Sequence, residues 1–170
     1  MPDLLVEKNN SIATLTFNRP EARNALSVDM RSDLRDVLAE LEHDDDIRCI
    51  VMQGSGEHFM AGGDVKKMVD YVNKPAAEIR AAFTQRIHDL HPIMFTMRRM
   101  AKPIVASVAG AAAGAGGSMA LACDLVIAAE SAFFTLAYVH IGTSPDGSAS
   151  FNLPRAVGIK KAMEIALLGD

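Results

Sequence analysis

One carboxylate stands among small residues in the segment GTSPDGSASF, residues 142–151, and it belongs to Asp146. The flanking Pro145 and Gly147 favour a tight turn, in which Asp commonly bonds to its own backbone. A positioned carboxylate can also take and return a proton during a reaction. The segment by itself leaves both interpretations of Asp146 open, a turn residue or an acid–base group.

Two loops rich in glycine and alanine are the second unusual feature, GSGEHFMAGGDVKKM at 54–68 and AGAAAGAGGSMALACD at 109–124. Each loop falls where a predicted strand ends and a helix begins. Small residues there let a ligand approach backbone N–H groups, and a helix N-terminus adds positive potential. Two convergent N–H groups suit an anion that develops on a carbonyl oxygen. Close packing of helices on a sheet is the alternative explanation.

Phosphate and metal sites are not indicated by these loops. A P-loop requires Lys followed by Ser or Thr after its last Gly, and neither loop has this. From Gly114 the chain reads GAGGSM, so the dinucleotide fingerprint fails at its last glycine. The five histidines form no recognisable ligand pair on a helix, and we expect no metal.

The elements that must position these loops alternate between strands and helices. LLVEK and SIATLTFN read as two strands joined at Asn9-Asn10, and Ser27 caps a helix running to about His43. Buried strands are expected at 47–54, 103–110 and 124–130. Helices are expected near 64–72, at 76–100, within GAGGSMALAC and at 159–168. This alternation predicts an α/β fold with a mostly parallel sheet.

The amino-acid composition limits the classes of protein to which the chain can belong. The chain has 170 residues, 49% hydrophobic and 22% charged, which predicts one soluble domain over residues 1–170. A net charge of −4 with scattered Lys and Arg argues against a nucleic-acid partner. We expect no signal peptide ahead of the first strand, and the glycine-broken run 103–125 is a poor candidate for a membrane span. Cys49 and Cys123 are expected to be buried thiols, and the protein cytoplasmic.

Four segments in order resemble the crotonase, or enoyl-CoA hydratase/isomerase, superfamily, and the resemblance covers about Leu4 to Asp170. The segments are FNRPEARNAL (17–26), FMAGGDVKKM (59–68), KPIVASVAGAAAGAGGSMALACDLVIAAESAFF (102–134) and IGTSPDGSASFNLPRAVGIKKAMEIALLGD (141–170). The resemblance implies a core built as a spiral of ββα units and chemistry on acyl-CoA thioesters. Coenzyme A would enter as part of the substrate, and no separate cofactor is expected.

The resemblance also assigns residues by position. The family's two oxyanion-hole amides fall on Gly63 and Ala115, where they would hold the thioester oxygen as it becomes an enolate. Asp64 could also cap a helix. The segments that line the family's CoA groove correspond to Asn24, Ala25, Leu26, Ala61, Gly62, Asp64 and Val65.

Departures from the family pattern narrow the reaction. The hydratases of this family deliver water with two glutamates, and this chain has Ser118 and Tyr138 at those positions. Branches similar to the enoyl-CoA isomerases and the ring-epoxide phenylacetyl-CoA isomerase carry an acid at the place of Asp146. The predicted function is therefore double-bond isomerisation with Asp146 as general base and acid. Tyr138 would line the pocket or donate a hydrogen bond. The apolar pocket wall is expected from Phe134, Leu136, Val139, Ile141 and Phe151.

Three other functions stay open. The aryl-CoA dehalogenases of the superfamily use an Asp here as nucleophile, with a His whose spacing resembles that of His91. A hydratase-like reaction and a non-catalytic acyl-CoA-binding scaffold are the others. From the resemblance we expect this chain to lack the family's C-terminal trimerisation helices. The resemblance implies a homotrimer or hexamer for the intact protein, and the acyl group is not predicted.

Overall fold

The chain begins with a hairpin of two antiparallel strands, β1 (Leu4–Asn9) and β2 (Ile12–Phe17). Its two-residue turn is Asn10-Ser11, and both residues have the positive φ that such a turn requires. The structure is a computed structural model that describes residues 1–71 and 73–169. The predicted helix over 64–72 is seen as a 3₁₀ helix, Val65–Tyr71, while Val72 and Asp170 lie outside the described residues.

A five-stranded sheet and a two-stranded sheet organise the fold. After the hairpin, β3 (Cys49–Gly54), β4 (Ile104–Val108) and β6 (Leu125–Ala128) add in parallel, giving the order β1-β2-β3-β4-β6. The short strands β5 (Ala111–Ala113) and β7 (Phe133–Thr135) pair in parallel beside it. The predicted α/β fold with a mostly parallel sheet is confirmed.

Two long helices cover the large sheet. Helix α1 (Val28–His43) is capped by Ser27, whose Oγ accepts from the Met30 N–H at 3.0 Å, and it buries leucines 34, 38 and 41. Helix α2 (Ala76–Arg99) runs through Pro92, so His91 lies inside the helix and not at its end. The second half of α2 carries its core side chains, which are Leu90, Ile93, Met94 and Met97.

Three shorter helices complete the described chain. Helix α3 (Ala115–Ala122) follows β5, and α4 (Ala149–Val157) and α5 (Ile159–Leu168) follow the segment that contains Asp146. A small second cluster joins these helices to the loop after β7. Its buried members are Leu136, Tyr138, Ala149, Leu153 and Ala162. The segment around Asp146 is thus anchored to its own core.

Strand β6 corrects one sequence expectation. The run 124–130 was expected to be buried on both faces, yet Leu125 is 61% and Ile127 67% exposed. The strand lies at the edge of the sheet beyond β4, and no described element packs over it. Cys49 and Cys123 are half-buried residues, and burial raises the pKa of the Cys123 thiol to about 12, as expected for a thiol shielded from solvent. Within the described residues, no helix is both long and apolar enough to cross a membrane.

Candidate active site

The two glycine-rich loops meet where β3 and β4 end. Met60 pairs with the second loop through two backbone bonds, accepting from the Ala113 N–H at 2.9 Å and donating to the Ala111 oxygen at 3.0 Å. Gly62 has a φ of +106°, and a Cβ there would lie 3.2 Å from the Ala113 oxygen. Glycine at 62 therefore permits both this backbone conformation and this close approach.

Backbone pairing leaves two N–H groups available at the junction of the loops. Leu26 bonds to the oxygen of Gly62 and to the N–H of Asp64, so the Gly63 N–H between them points away from Leu26. Ala115 is the first residue of α3, where an N–H has no partner inside the helix. Within residues 1–71 and 73–169, neither N–H is bonded to another group of the chain.

Both residues line one cavity of about 560 Å³. Its walls are largely apolar, with contributions from both loops, from α2 and from the segment 136–146. Among the sequence-predicted site residues, the cavity brings together Leu26, Ala61, Gly62, Gly63, Val65, Ala115, Tyr138 and Asp146. Residues with a carboxylate and two unpaired N–H groups thus line the same cavity, which suits proton transfer next to a carbonyl group.

Asp146 is held by a short hydrogen-bond chain. The Tyr138 hydroxyl donates to Asp146 Oδ1 at 2.6 Å, and Ser118 Oγ lies 2.8 Å from the same hydroxyl. With the tyrosine proton on the carboxylate, the single Ser118 hydroxyl proton is available to the Tyr138 oxygen or to the backbone oxygen of Gly114 or Asp146. The other carboxylate oxygen, Oδ2, has no partner among the described residues. It is therefore the oxygen left to meet a substrate.

Tyr138 is an uncharged donor at any ordinary pH. The residue is buried, and burial together with the negative charge of Asp146 raises its pKa far above the usual value near 10. Ser118 is also buried, and its Oγ lies 3.1 Å from the backbone oxygens of both Gly114 and Asp146. Ser118 and Tyr138, which the resemblance matches to the positions of the family's glutamates, therefore both contact Asp146.

Asn24, Ala25 and Asp64 do not line this cavity. Asn24 is buried and binds the first few residues of the first loop, donating to the oxygens of Ser55 at 2.9 Å and His58 at 2.6 Å. Arg19, which the sequence analysis did not identify, donates to the Ala25 oxygen at 2.7 Å and pairs with Asp64 at 3.2 Å. The groove role of these three residues stays a prediction, and their visible contacts hold the first loop in place.

The predicted pocket wall was partly wrong. Leu136 and Ile141 line the cavity, but Phe134, Val139 and Phe151 do not, and each of the three is more than 40% exposed. His91 does not line the cavity either, because it lies on an exposed face of α2 against His88 and Phe95. The parts of the chain that the structure describes contain no cluster of three or more His, Cys, Asp or Glu side chains able to hold a metal.

Sequence comparison shows which family the chain belongs to. The family model described as enoyl-CoA hydratase/isomerase matches residues 7–170. The chain is 36% identical over 170 residues to 1,2-epoxyphenylacetyl-CoA isomerase of Escherichia coli K12, covering all of this chain and 64% of that protein. It is 38% identical over 159 residues to 4-chlorobenzoyl coenzyme A dehalogenase-2 of an Arthrobacter species, covering 94% and 56%.

Solved structures place the chain in the same class. An enoyl-CoA hydratase from Polaromonas sp. JS666 superposes with a TM-score of 0.89 at 36% identity, covering 98% of this chain and 63% of that one. The fold and the site define a member of the crotonase superfamily. The chain belongs to the enoyl-CoA hydratase/isomerase family, and it spans less than two thirds of the length of these relatives.

Proposed function

We propose that the protein is an acyl-CoA thioester isomerase that moves a carbon–carbon double bond through an enolate. The observation that carries this proposal is the placement of a single carboxylate, Asp146, in the same cavity as the unpaired N–H groups of Gly63 and Ala115. A site with one acid–base group and an anion-binding pair matches a reaction that removes one proton and returns one.

The reaction balances with these groups alone. Asp146 Oδ2 takes a proton from the α-carbon of a 3-enoyl thioester, and the electron pair moves onto the thioester oxygen. The N–H groups of Gly63 and Ala115 hold the resulting oxyanion, each at a typical gain of about 2.7–4 kcal/mol in the transition state. Protonated Asp146 then gives its proton to the γ-carbon, and the double bond lies between the α- and β-carbons. No water is consumed.

The Ser118–Tyr138–Asp146 chain supports isomerisation over hydration. A hydratase needs a second acid–base group to activate water, and here Ser118 and Tyr138 are bonded to Asp146 instead. Tyr138 keeps its proton because its pKa is raised, so it cannot act as a base at neutral pH. Its bond to Oδ1 holds the carboxylate and leaves Oδ2 without a partner among the described residues.

An aryl-CoA dehalogenase is the second candidate, because the Arthrobacter dehalogenases share 38% identity with this chain. In that reaction Asp146 would act as nucleophile, and a histidine would help hydrolyse the ester that forms. The exposed position of His91, outside the cavity, argues against it.

A homotrimer or hexamer is also proposed, supported by the apolar side chains that β6 and α5 leave exposed.

A substrate panel separates these functions. We expect a 3-enoyl-CoA deuterated at the α-carbon to give the conjugated 2-enoyl-CoA with part of the label at the γ-carbon, as one base carrying one proton requires. We expect no hydration of 2-enoyl-CoA above background and no chloride release from 4-chlorobenzoyl-CoA. Chloride release would instead support the dehalogenase. Hydration without isomerisation would refute the one-base mechanism.

A further inference from the structure

Arg86 is a cation on the otherwise apolar face that α2 turns toward the cavity. Phe83, Arg86, Ile87 and Leu90 follow the i, i+3, i+4, i+7 spacing of one helix face, and all four line the cavity. Arg86 is half-buried. A cation in such a setting normally has a carboxylate partner or a ligand, because desolvation makes an unpaired charge costly.

The neighbouring acid is already occupied. Asp89, one turn from Gln85 and Arg86, accepts from Arg31 at 3.2 Å and from Gln85 at 2.7 Å. Within residues 1–71 and 73–169, no carboxylate lies within 4.0 Å of the Arg86 guanidinium. Its nearest aromatic neighbour is the Phe83 ring, 5.9 Å from Cζ. Arg86 therefore forms no ion pair within the described residues.

A second guanidinium strengthens the positive potential at this wall. Arg31 also lines the cavity and is only 9% exposed. Burial lowers its pKa, the Asp89 charge opposes that effect, and the nearby positive charge of Arg86 adds to it. Arg31 is thus paired with Asp89, while Arg86 places a second guanidinium at the same wall without an ion-pair partner among the described residues.

Arg86 lies next to the part of the cavity in which the reaction is proposed to take place. A Cβ built on Gly63 would lie 3.0 Å from Arg86 Nη2, so the guanidinium is next to one of the two unpaired N–H groups. Leu90, one turn further along α2, would lie 3.5 Å from a Cβ on Gly147, the residue after Asp146. This face of α2 therefore extends from the proposed oxyanion site to the segment of the proposed base.

We propose that the acyl group of the substrate carries a second carboxylate, which binds to the guanidinium of Arg86. The inference rests on the proposed acyl-CoA site and names its substrate class, an acyl-CoA derived from a dicarboxylic acid. A guanidinium binds a carboxylate through two parallel N–H···O bonds, a geometry that an ammonium cannot reproduce. A neutral acyl chain would leave Arg86 desolvated and unpaired.

Binding of saturated thioesters tests this without requiring turnover. Hexanedioyl-CoA, its methyl ester at the far carboxyl, and free CoA would be titrated calorimetrically into the wild type, Arg86→Met and Arg86→Lys. We expect the wild type to bind the free acid about 10- to 100-fold more tightly than the ester, as a charge-assisted bond predicts. Arg86→Met should bring this ratio close to one, and Arg86→Lys should give an intermediate ratio.

Arg80→Met is the matched control, since it removes the same charge from an exposed position of the same helix. It should leave the ratio between acid and ester unchanged. Equal binding of acid and ester by the wild type would overturn the inference. So would a loss in Arg86→Met that is the same for acid, ester and free CoA, because the guanidinium would then meet the phosphates of CoA.

The outcome is separable from that of the proposed function. A preference for the acid that depends on Arg86, without isomerisation of any 3-enoyl-CoA, would uphold the carboxylate site and refute the isomerase. Isomerisation with no preference for the acid would uphold the isomerase and refute the carboxylate site. An equal loss of turnover for acid and ester substrates in Arg86→Met would assign the guanidinium to the enolate and overturn the inference.

Discussion

The buried hydroxyl of Tyr138, which is bonded to Asp146, should make the stability of the folded protein fall at high pH. Its folded pKa lies above the unfolded value near 10, so above that pH the unfolded chain has lost a proton that the native protein keeps. The stabilisation is fully present below about pH 10 and is lost as the pH rises. Each further pH unit should remove about 1.4 kcal/mol of unfolding free energy through this group.

Tyr138→Phe isolates that loss. Urea unfolding between about pH 9 and pH 11 gives the unfolding free energy of the wild type and of the variant. In the difference between these two free energies, the lysine titrations common to both proteins cancel. We expect the difference in unfolding free energy to change by about 1.4 kcal/mol between about pH 9 and pH 11, with about 1 kcal/mol of it over the last pH unit and the wild type losing more. Parallel curves for the two proteins would mean that the Tyr138 hydroxyl is solvated, and the bond to Asp146 would be refuted.

Ultraviolet absorbance gives a second reading of the same group. The chain has two tyrosines, so Tyr71→Phe leaves Tyr138 as the only source of a tyrosinate signal. We expect that signal to rise only as the protein unfolds at alkaline pH. A rise near pH 10 in protein that is still folded would contradict the raised pKa.

Two further predictions concern the elements that position the site. Gly116→Ala would place a methyl group against the Met60 carbonyl oxygen, and we expect a loss beyond the about 1–3 kcal/mol typical of overpacking, measured by thermal unfolding. Gly63→Ala, which meets only the flexible end of a side chain, should unfold near the wild-type temperature, and equal losses would refute this reading. Ser27→Ala removes the cap on the Met30 N–H and should cost about 1 kcal/mol, whereas Ser27→Gly should cost only a few tenths.

Much of the fold could be predicted from local pattern. The helix from Ser27 to His43 and the strand at 47–54 were identified because capping, helical spacing and continuous apolar runs are local properties. Strand β6 was placed correctly along the chain but was expected to be buried. A continuous apolar run indicates that a strand is apolar on both faces, but it does not say which elements pack on those faces.

The residues of the site were likewise predictable in part, and the rest depended on tertiary packing. Gly63, Ala115 and Asp146 were singled out from loop composition and from the family resemblance, and the structure brings them to one cavity. Arg86 was missed because its closeness to Gly63 depends on how α2 packs over the first loop. One signal could have found it, a lone arginine within an apolar i, i+3, i+4, i+7 face. Phe151 was misplaced for a related reason, since residues near a loop in sequence need not face its cavity.

The central claim is that Asp146 moves the proton, and the most direct test compares Asp146→Asn with the wild type on a 3-enoyl-CoA. Absorbance of the conjugated thioester would follow the rate, and Asp33→Asn, an exposed carboxylate on α1, would serve as the control. We predict a loss of about 10²–10⁴-fold for Asp146→Asn, with thioester binding retained and the control unchanged. An Asp146→Asn variant that keeps the wild-type rate within a few fold would contradict the account.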